Sequence, residues 1–287
     1  MTDITQIPEV AERIRFALSE DIGSGDATTL ALVNPAAEAE AVIVSREPCA
    51  VSGCDVARFA FQCVDPDLKI DVLLPDGSRA AAGDTILRIS GKAASILTGE
   101  RVALNFMQRM CGISTMAAKF VDAVSEYGTL VLDTRKTTPG LRIFEKYAVT
   151  CGGGTNHRVG LYDRILMKDN HRKLWHDGDA DRLDLAVEAA RKAYPSLEIE
   201  VEVETLEECR SALKAKPEWL LLDNMSCEMM RECVAMAKGI SRTEASGNIT
   251  LARAPEVAAT GVDAFSVGGL THSVRSVDLS LEIVKGL

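Results

Sequence analysis

LEIEVEVETLEECRSALKAKPEWLLLD (197–223) is the stretch on which the fold is decided. Residues 197–202 alternate apolar and acidic side chains, the period-2 signature of a strand. Residues 205–214 read as a helix, and WLLLD (219–223) as a second strand that ends on an acid. Strand, helix, strand is the repeating unit of a parallel sheet with right-handed crossovers. Similar runs stand on either side: TLVLD (129–133), RILMK (164–168), the TEASG region (243–247) or ITLAR just after it, and AFSVGG (264–269). Helical spacing fills 181–194, 226–238 and 252–259. Roughly six units fit, which suits a doubly wound sheet or a barrel of fewer than eight strands. Polar residues end nearly every run: Asp133, Lys168, Glu202, Asp223, Glu244 with Ser246, and Gly268. A barrel gathers all such ends at one mouth, whereas an open sheet uses only its switch point. The polar ends therefore favour an incomplete six-stranded α/β barrel.

The N-terminal part mixes its elements in an α+β pattern. Residues 8–21 read as a helix broken by GSGD (23–26), 39–46 as a strand, 53–64 as a helix, and 67–80 as a strand entering a turn at Asp76-Gly77. Residues 92–126 form one long helical stretch, which Gly112 is expected to divide into two helices. The expected domains are 1–112 and 113–274, the second carrying the active site. Residues 275–287 alternate as a strand and are expected to rejoin the N-terminal domain.

With 287 residues, about two domains are expected. Hydrophobic residues make up 47% and charged residues 26%, which excludes disordered and fibrous classes. No apolar run reaches the ~18 residues of a membrane span, and MTDITQIPEV is no signal peptide. A net charge of −10 argues against non-specific nucleic-acid binding, which needs Lys and Arg to neutralise phosphates. The eight cysteines form no C-x-x-C pair, so reduced thiols in a cytoplasmic protein are expected and zinc is not. Met107, Met110 and Met116 read as core filler. Cys151 has no base partner nearer than His157 and reads as structural. His176 falls in a polar loop expected to be exposed.

Against this acidic background, 133–172 carries eight basic residues and four acidic ones. Such a block fits an anionic ligand held in a cleft; its plain alternative is a solvated charged face. The context favours the cleft. Arg135 and Lys136 follow a strand directly, and three glycines (152–154) precede His157-Arg158, where backbone amides can approach a ligand. With Lys168 these clusters form one pocket of several cations, which calls for a ligand with more than one carboxylate or phosphate. Glu202 and Asp223 end successive strands. Such acids can hold ribose hydroxyls, hold Mg²⁺ through water, or face a developing positive charge; as a structural alternative they form salt bridges with Lys168 or Lys136. The small residues of EASGN (244–248) and SVGGL (266–270) are of the kind that bind phosphate after the last barrel strands.

At these residues the chain resembles the quinolinate phosphoribosyltransferase family, the carboxylating nicotinate-nucleotide pyrophosphorylases. The resemblance starts at EDIGSGDATT (20–29) and GERVALNFMQRMCGIST (99–115). It is densest over LDTRKTTPGLRIFEKYAVTCGGGTNHRVGLYDRILMKDNH (132–171), and continues through EVEVETLEE (200–208), LLLDNM (220–225), EASGNIT (244–250) and GVDAFSVGGLTHS (261–273). It implies an N-terminal α/β (α+β) sandwich domain followed by an incomplete α/β barrel. The implied reaction joins quinolinate to 5-phosphoribosyl 1-diphosphate and yields nicotinate mononucleotide, CO2 and diphosphate in de novo NAD biosynthesis, with Mg²⁺ as cofactor. The implied dicarboxylate pocket uses Arg135, His157, Arg158 and Lys168, with Thr134 beside them and Arg101 supplied by a partner subunit. Lys136, Lys168, Glu202 and Asp223 then serve the phosphoribosyl group and the catalysis, with Ser246, Gly247, Asn248, Val267, Gly268 and Gly269 in the phosphate loops. His272 is a further candidate at the diphosphate. Mg²⁺ is expected mainly through diphosphate and water, near Glu202 and Asp223. A homodimer is the minimum assembly, and a hexamer is compatible with it.

Four rivals remain at the level of sequence. A molybdenum-transport-linked pyrophosphorylase-like family shares the fold but not the full TRKTTPG and MKDNH motifs. A nicotinate-specific enzyme would need fewer cations. A Schiff-base aldolase would use Lys168 in an apolar or cation-flanked pocket. A quinolinate sensor would bind without releasing diphosphate.

Overall fold

The structure is a computed structural model that describes residues 3–175, 179 and 181–286; His176 lies outside the described residues. The chain forms two compact units, the first comprising Met1–Ala118, Thr138–Gly153 and Leu270–Leu287, the second Lys119–Thr137 and Gly154–Gly269.

The first unit is built on an antiparallel sheet. Its strands are β1 (Glu38–Ser45), β3 (Lys69–Val72), β5 (Thr85–Lys92) and β12 (Leu279–Gly286), in the order β12-β1-β5-β3; β2 (Cys49–Ala50) and β4 (Arg79–Ala80) form a separate two-residue ribbon. The C-terminal strand returns to this unit by pairing with β1, Ile43 facing Leu281. The sequence run 67–80 splits into β3 and β4, with Gly77 between them at φ +87°. β5, which the sequence reading did not anticipate, supplies the central pairing partner for both β1 and β3.

Gly112 does not divide the long helix, which runs unbroken over Ala93–Ala123. One interior glycine costs a helix only ~1 kcal/mol relative to alanine, which 30 other residues easily offset. Its role is clearance: a Cβ there would stand 2.3 Å from the Arg275 carbonyl oxygen. The returning segment crosses the helix at this point, with the Val277 N–H donating to the Gln108 carbonyl at 3.0 Å and Gln108 Nε2 to that of Leu279 at 2.8 Å. The expected boundary at residue 112 therefore falls inside a helix. The helix Arg142–Cys151, not anticipated from sequence, also belongs to the first unit.

The second unit is the incomplete α/β barrel. Its strands are β6 (Leu130–Leu132), β7 (Ile165–Met167), β8 (Ile199–Val203), β9 (Trp219–Asp223), β10 (Arg242–Ser246) and β11 (Ala264–Ser266). They pair in parallel in the order β6-β11-β10-β9-β8-β7, so β6 and β7 are the two edges. The β6 edge carries one parallel bridge, Leu132 to Thr155. Helices Leu183–Ala193, Leu206–Leu213, Cys227–Ala237 and Ala254–Ala258 alternate with the strands; Thr205 and Ser226 cap two of them through side-chain oxygens. The strand sought around 243–253 is the TEAS side of that region, while ITLAR leads into the helix Ala254–Ala258. All five residues of β8 are buried, as expected of a strand covered on both faces. Alternation puts Glu200 and Glu202 on one face of β8 and Ile199, Val201 and Val203 on the other. Among the described residues no helix is long and apolar enough to cross a membrane.

Candidate active site

A cavity of about 280 Å³ opens among the strand ends of the second unit. It is lined by Thr134, Arg135, Lys136, His157, Arg158, Leu166, Lys168, Leu221, Glu244, Ser246 and Ser266. The spacing is that of inward-facing barrel positions: β7 and the residue after it supply Leu166 and Lys168, and β10 supplies Glu244 and Ser246, each pair two residues apart. The residues after β6 supply 134–136.

Buried Asp133 anchors one wall. Its N–H donates to the Thr155 carbonyl at 3.2 Å, and its Oδ1 accepts the His157 N–H at 2.9 Å. Thr155 N–H donates in turn to the Val131 carbonyl at 2.8 Å, so 155–157 runs beside the end of β6. Thr134 Oγ1 accepts the Lys136 N–H at 3.0 Å and turns that loop. Arg158 Nη1 donates to the Arg164 carbonyl at 3.1 Å, and Asp163 accepts the N–H groups of Val159 and Gly160 at 2.7 and 2.9 Å. Burial, and then the nearby charge of Arg135, lower the Arg158 pKa below the usual guanidinium value. Two guanidiniums that repel one another in a half-buried wall are stabilised by an anion between them. Lys168 Nζ meets Glu202 Oε2 at 2.9 Å; the lysine is half exposed and the glutamate buried. This is the salt bridge foreseen as the structural alternative, and it also sets an ammonium and a carboxylate side by side at the mouth. Ion-paired and half exposed, Lys168 does not sit in an apolar pocket.

His157 lies deeper, nearly buried. Its Nδ1 accepts the Arg158 N–H at 2.7 Å, while Nε2 stands 3.0 Å from Glu200 Oε2 and 3.2 Å from Glu244 Oε2. Burial pushes the imidazole pKa down, but hydrogen bonding and charge from Glu200 and Glu244 outweigh it and lift the value to about 9. Burial and the Glu200 charge push Glu244 up to about 7. Burial raises Glu200 as well, but His157 outweighs it and holds that carboxyl below its usual range. Arg164 Nη1 is 3.5 Å from Glu200 Oε2 and adds positive charge on that side.

Glu202, Glu204 and Asp223 present carboxylate oxygens within 4.8 Å of one another. The loops that follow β9 and β10 are tied together: Asn224 N–H donates to the Ser246 carbonyl at 2.9 Å, and Asn224 Nδ2 to Asp223 at 2.7 Å. Gly247 has φ +96°, and a Cβ there would fall 2.1 Å from Asn224 Oδ1, so only glycine closes this contact; Asn248 follows in the left-handed region at φ +50°. Val267 is buried and its N–H donates to the Leu132 carbonyl at 3.0 Å, leaving Gly268 and Gly269 as the more accessible part of that loop. His272 is exposed, with Nδ1 2.5 Å from Ser273 Oγ, and belongs to the first unit. Arg101 also belongs to the first unit, exposed on the helix Ala93–Ala123 beside Glu100. Cys151 is buried, which pushes its thiol up to about 12, so it carries no thiolate at neutral pH.

Sequence reading did not single out Glu200, Glu204 or Asn224 as site residues. For Glu200 a signal existed, since it shares its strand face with Glu202. Asn224 has no such signal, because its contact with Gly247 arises only when two loops meet.

The model of the quinolinate phosphoribosyl transferase C-terminal domain matches residues 113–282, and that of the N-terminal domain matches 26–111. The chain belongs to the quinolinate phosphoribosyl transferase family. A probable nicotinate-nucleotide pyrophosphorylase [carboxylating] of Synechocystis is 40% identical over 272 residues, covering 93% of this chain and 90% of the relative. A chloroplastic nicotinate-nucleotide pyrophosphorylase [carboxylating] of Oryza sativa is 39% identical, covering 94% and 76%. Among solved structures, NadC from Streptococcus pyogenes superposes with a TM-score of 0.92 at 37% identity, covering 100% of this chain and 98% of that one. The nicotinate-nucleotide pyrophosphorylase of Francisella tularensis gives 0.90 at 37%, covering 99% and 97%. As a quinolinate phosphoribosyl transferase relative, the chain has the family's two domains and its incomplete barrel.

Proposed function

We propose that this chain transfers the phosphoribosyl group of 5-phosphoribosyl 1-diphosphate to quinolinate, giving nicotinate mononucleotide, CO2 and diphosphate in NAD biosynthesis. The observation that carries the reading is the convergence of Arg135, Lys136, Arg158 and Lys168 on one small mouth beside the buried carboxylate of Glu202. Quinolinate bears two adjacent carboxylates, and the two arginines match them with forked donors. The pyridine nitrogen attacks ribose C1 as the bond from C1 to diphosphate breaks. Positive charge builds on the ribose, where Glu202 and Asp223 face it, while Lys136 and Lys168 take up the charge leaving on diphosphate. Holding the nitrogen in line with C1 contributes ~7 kcal/mol or more as a proximity effect. The ring nitrogen is then quaternary, so the electron pair of the adjacent C–CO2 bond stays on the ring carbon as CO2 leaves, and a proton from solvent replaces it.

The oxygen ligands of Glu202, Glu204 and Asp223 fit a hard divalent cation. These residues would hold Mg²⁺, which when bound neutralises diphosphate charge. Ser246, Gly247, Asn248, Gly268 and Gly269 meet phosphate through backbone N–H groups, and His272 reaches the diphosphate. Arg101 enters the site from a partner subunit, which makes a homodimer the working unit. A reducing, cytoplasmic compartment suits eight free thiols.

The test is a discontinuous assay with quinolinate, 5-phosphoribosyl 1-diphosphate and Mg²⁺, following nicotinate mononucleotide by chromatography, with nicotinate as a parallel substrate. Product with quinolinate alone is expected. Product with nicotinate would show that the second-carboxylate pocket has been misread, and no product from folded protein would return weight to a sensor.

A further inference from the structure

His157 and Glu244 in the cavity wall, and Glu200 in contact with His157, are three titratable side chains to which the reaction above assigns no step or only a share in binding. Glu200 is fully buried on β8, Glu244 is fully buried on β10, and His157 lies between them. Two buried carboxylates so close are costly unless they perform a task that apolar residues would not.

One reading of such a trio is a metal site, since their ligand atoms lie within 4.8 Å of one another. The hydrogen bonding argues against it. His157 Nδ1 accepts a backbone N–H, that of Arg158, at 2.7 Å. Whether the ring is neutral with Nδ1 as the acceptor or doubly protonated, Nε2 bears a hydrogen. Nε2 then faces the carboxylates as a donor and has no lone pair for a cation. Of the two acceptors Glu200 is the nearer. Glu244 Oε2 stands 3.2 Å from Nε2 and holds the ring by its charge, since neither Glu244 oxygen meets a well-aligned donor.

The hydrogen-bond chain continues outward. Glu200 and Glu244 fix the ring of His157, the ring accepts from the Arg158 backbone, and the His157 backbone is fixed by Asp133 at 2.9 Å. From this chain we infer that Glu200 and Glu244 are positioning residues: they hold His157 so that the Arg158 guanidinium is presented to the anionic substrate. Glu200 does not line the cavity and acts through the imidazole; Glu244 lines the cavity and faces the same Nε2. The inference deepens the proposed reaction and rests on it, because Arg158 is taken to grip a quinolinate carboxylate.

The test compares Glu244→Ala, Glu244→Gln, His157→Ala and the double variant His157→Ala/Glu244→Ala. Initial rates are read with quinolinate and 5-phosphoribosyl 1-diphosphate varied in turn. Loss of a charge-assisted contact to the imidazole is expected to raise the quinolinate KM about tenfold in Glu244→Ala, with the KM for 5-phosphoribosyl 1-diphosphate nearly unchanged. Glutamine keeps the size of the side chain but not its charge, so Glu244→Gln is expected to leave the quinolinate KM near that of Glu244→Ala. If Glu244 acts through His157, the double variant is no worse than His157→Ala alone.

Three results would overturn the inference: additive losses in the double variant, equal changes in both KM values, or a lowered melting temperature with both KM values intact. So would a stoichiometric transition metal in the purified protein that disappears in Glu244→Ala. A folded wild type that neither turns over nor binds quinolinate would instead remove the proposed reaction, an outcome distinct from an active wild type whose variants match it.

Discussion

Arg158 illustrates how the site stores its demand for an anion in single residues. It is half-buried, it lies near Arg135, and both burial and that neighbour lower its pKa. A dicarboxylate relieves the conflict. Arg158→Ala is therefore expected to raise the quinolinate KM by about 30- to 100-fold, the loss of one charged bidentate contact worth ~2–3 kcal/mol. Steady-state kinetics with each substrate varied would show it, and an unchanged quinolinate KM would count against the assignment. The buried imidazole makes a second prediction, about stability. The folded His157 pKa, about 9, is above its ordinary 6.5. A raised folded pKa stabilises fully below pH 6.5 and that stabilisation is lost as pH rises toward 9. The stability gap between wild type and His157→Gln should thus narrow across this window, by a few degrees in melting temperature. A gap that is constant or widens with pH would contradict the assignment. The cations of this site were legible in the sequence because charge stands out in an acidic chain and strand ends mark where it gathers. Glu200 and Glu244 were harder to read, since their partnership spans β8 and β10 and depends on tertiary closure of the barrel.

At the scale of elements, the parallel unit was readable nearly to the residue, because buried strands and amphipathic helices impose different periods. WLLLD (219–223) is β9 without change. Among the elements that escaped, two are instructive. TILRISGK (85–92) is β5, but its run of mixed polarity sits next to the long helix and offers no turn signal to separate them. RIFEKYAVTC (142–151) is a helix whose charges drew attention away from its buried positions Phe144, Ala148 and Val149. Gly112 shows how one residue type carries two meanings. As a helix breaker it would be improved by alanine, by ~1 kcal/mol. As a clearance residue under the Arg275 carbonyl it cannot accept a Cβ at 2.3 Å. Gly112→Ala is expected to destabilise by about 1–3 kcal/mol, as overpacking does, and urea unfolding gives the sign directly. Gly247→Ala tests the loop after β10 in the same way: a Cβ 2.1 Å from Asn224 Oδ1, at φ +96°, forces the two phosphate-side loops apart. Its expected effect is a raised KM for 5-phosphoribosyl 1-diphosphate, at least about tenfold, with the quinolinate KM affected less.

For the whole molecule, the question is whether one chain suffices. A net charge of −10 surrounds a cavity lined by four cationic side chains, so the field is local and an additional cation at the mouth would matter. Arg101 of a partner subunit is the cation proposed for that place, and in the single chain it stands exposed on its helix with Glu100 at 3.8 Å. If each site takes Arg101 from one subunit and Lys168 from the other, two different inactive variants can repair one another. Arg101→Ala fails because it damages the neighbour's pocket, and Lys168→Ala because it damages its own. In a mixed dimer one site collects both lesions and the other collects none. Random reassortment puts half of the dimers in the mixed state, so mixing equal amounts after mild dissociation should restore roughly a quarter of wild-type activity. Assay of the mixture against each variant alone measures this. Activity that stays at the level of the separate variants, while labelled subunits are seen to exchange, would mean that Arg101 serves its own chain or none.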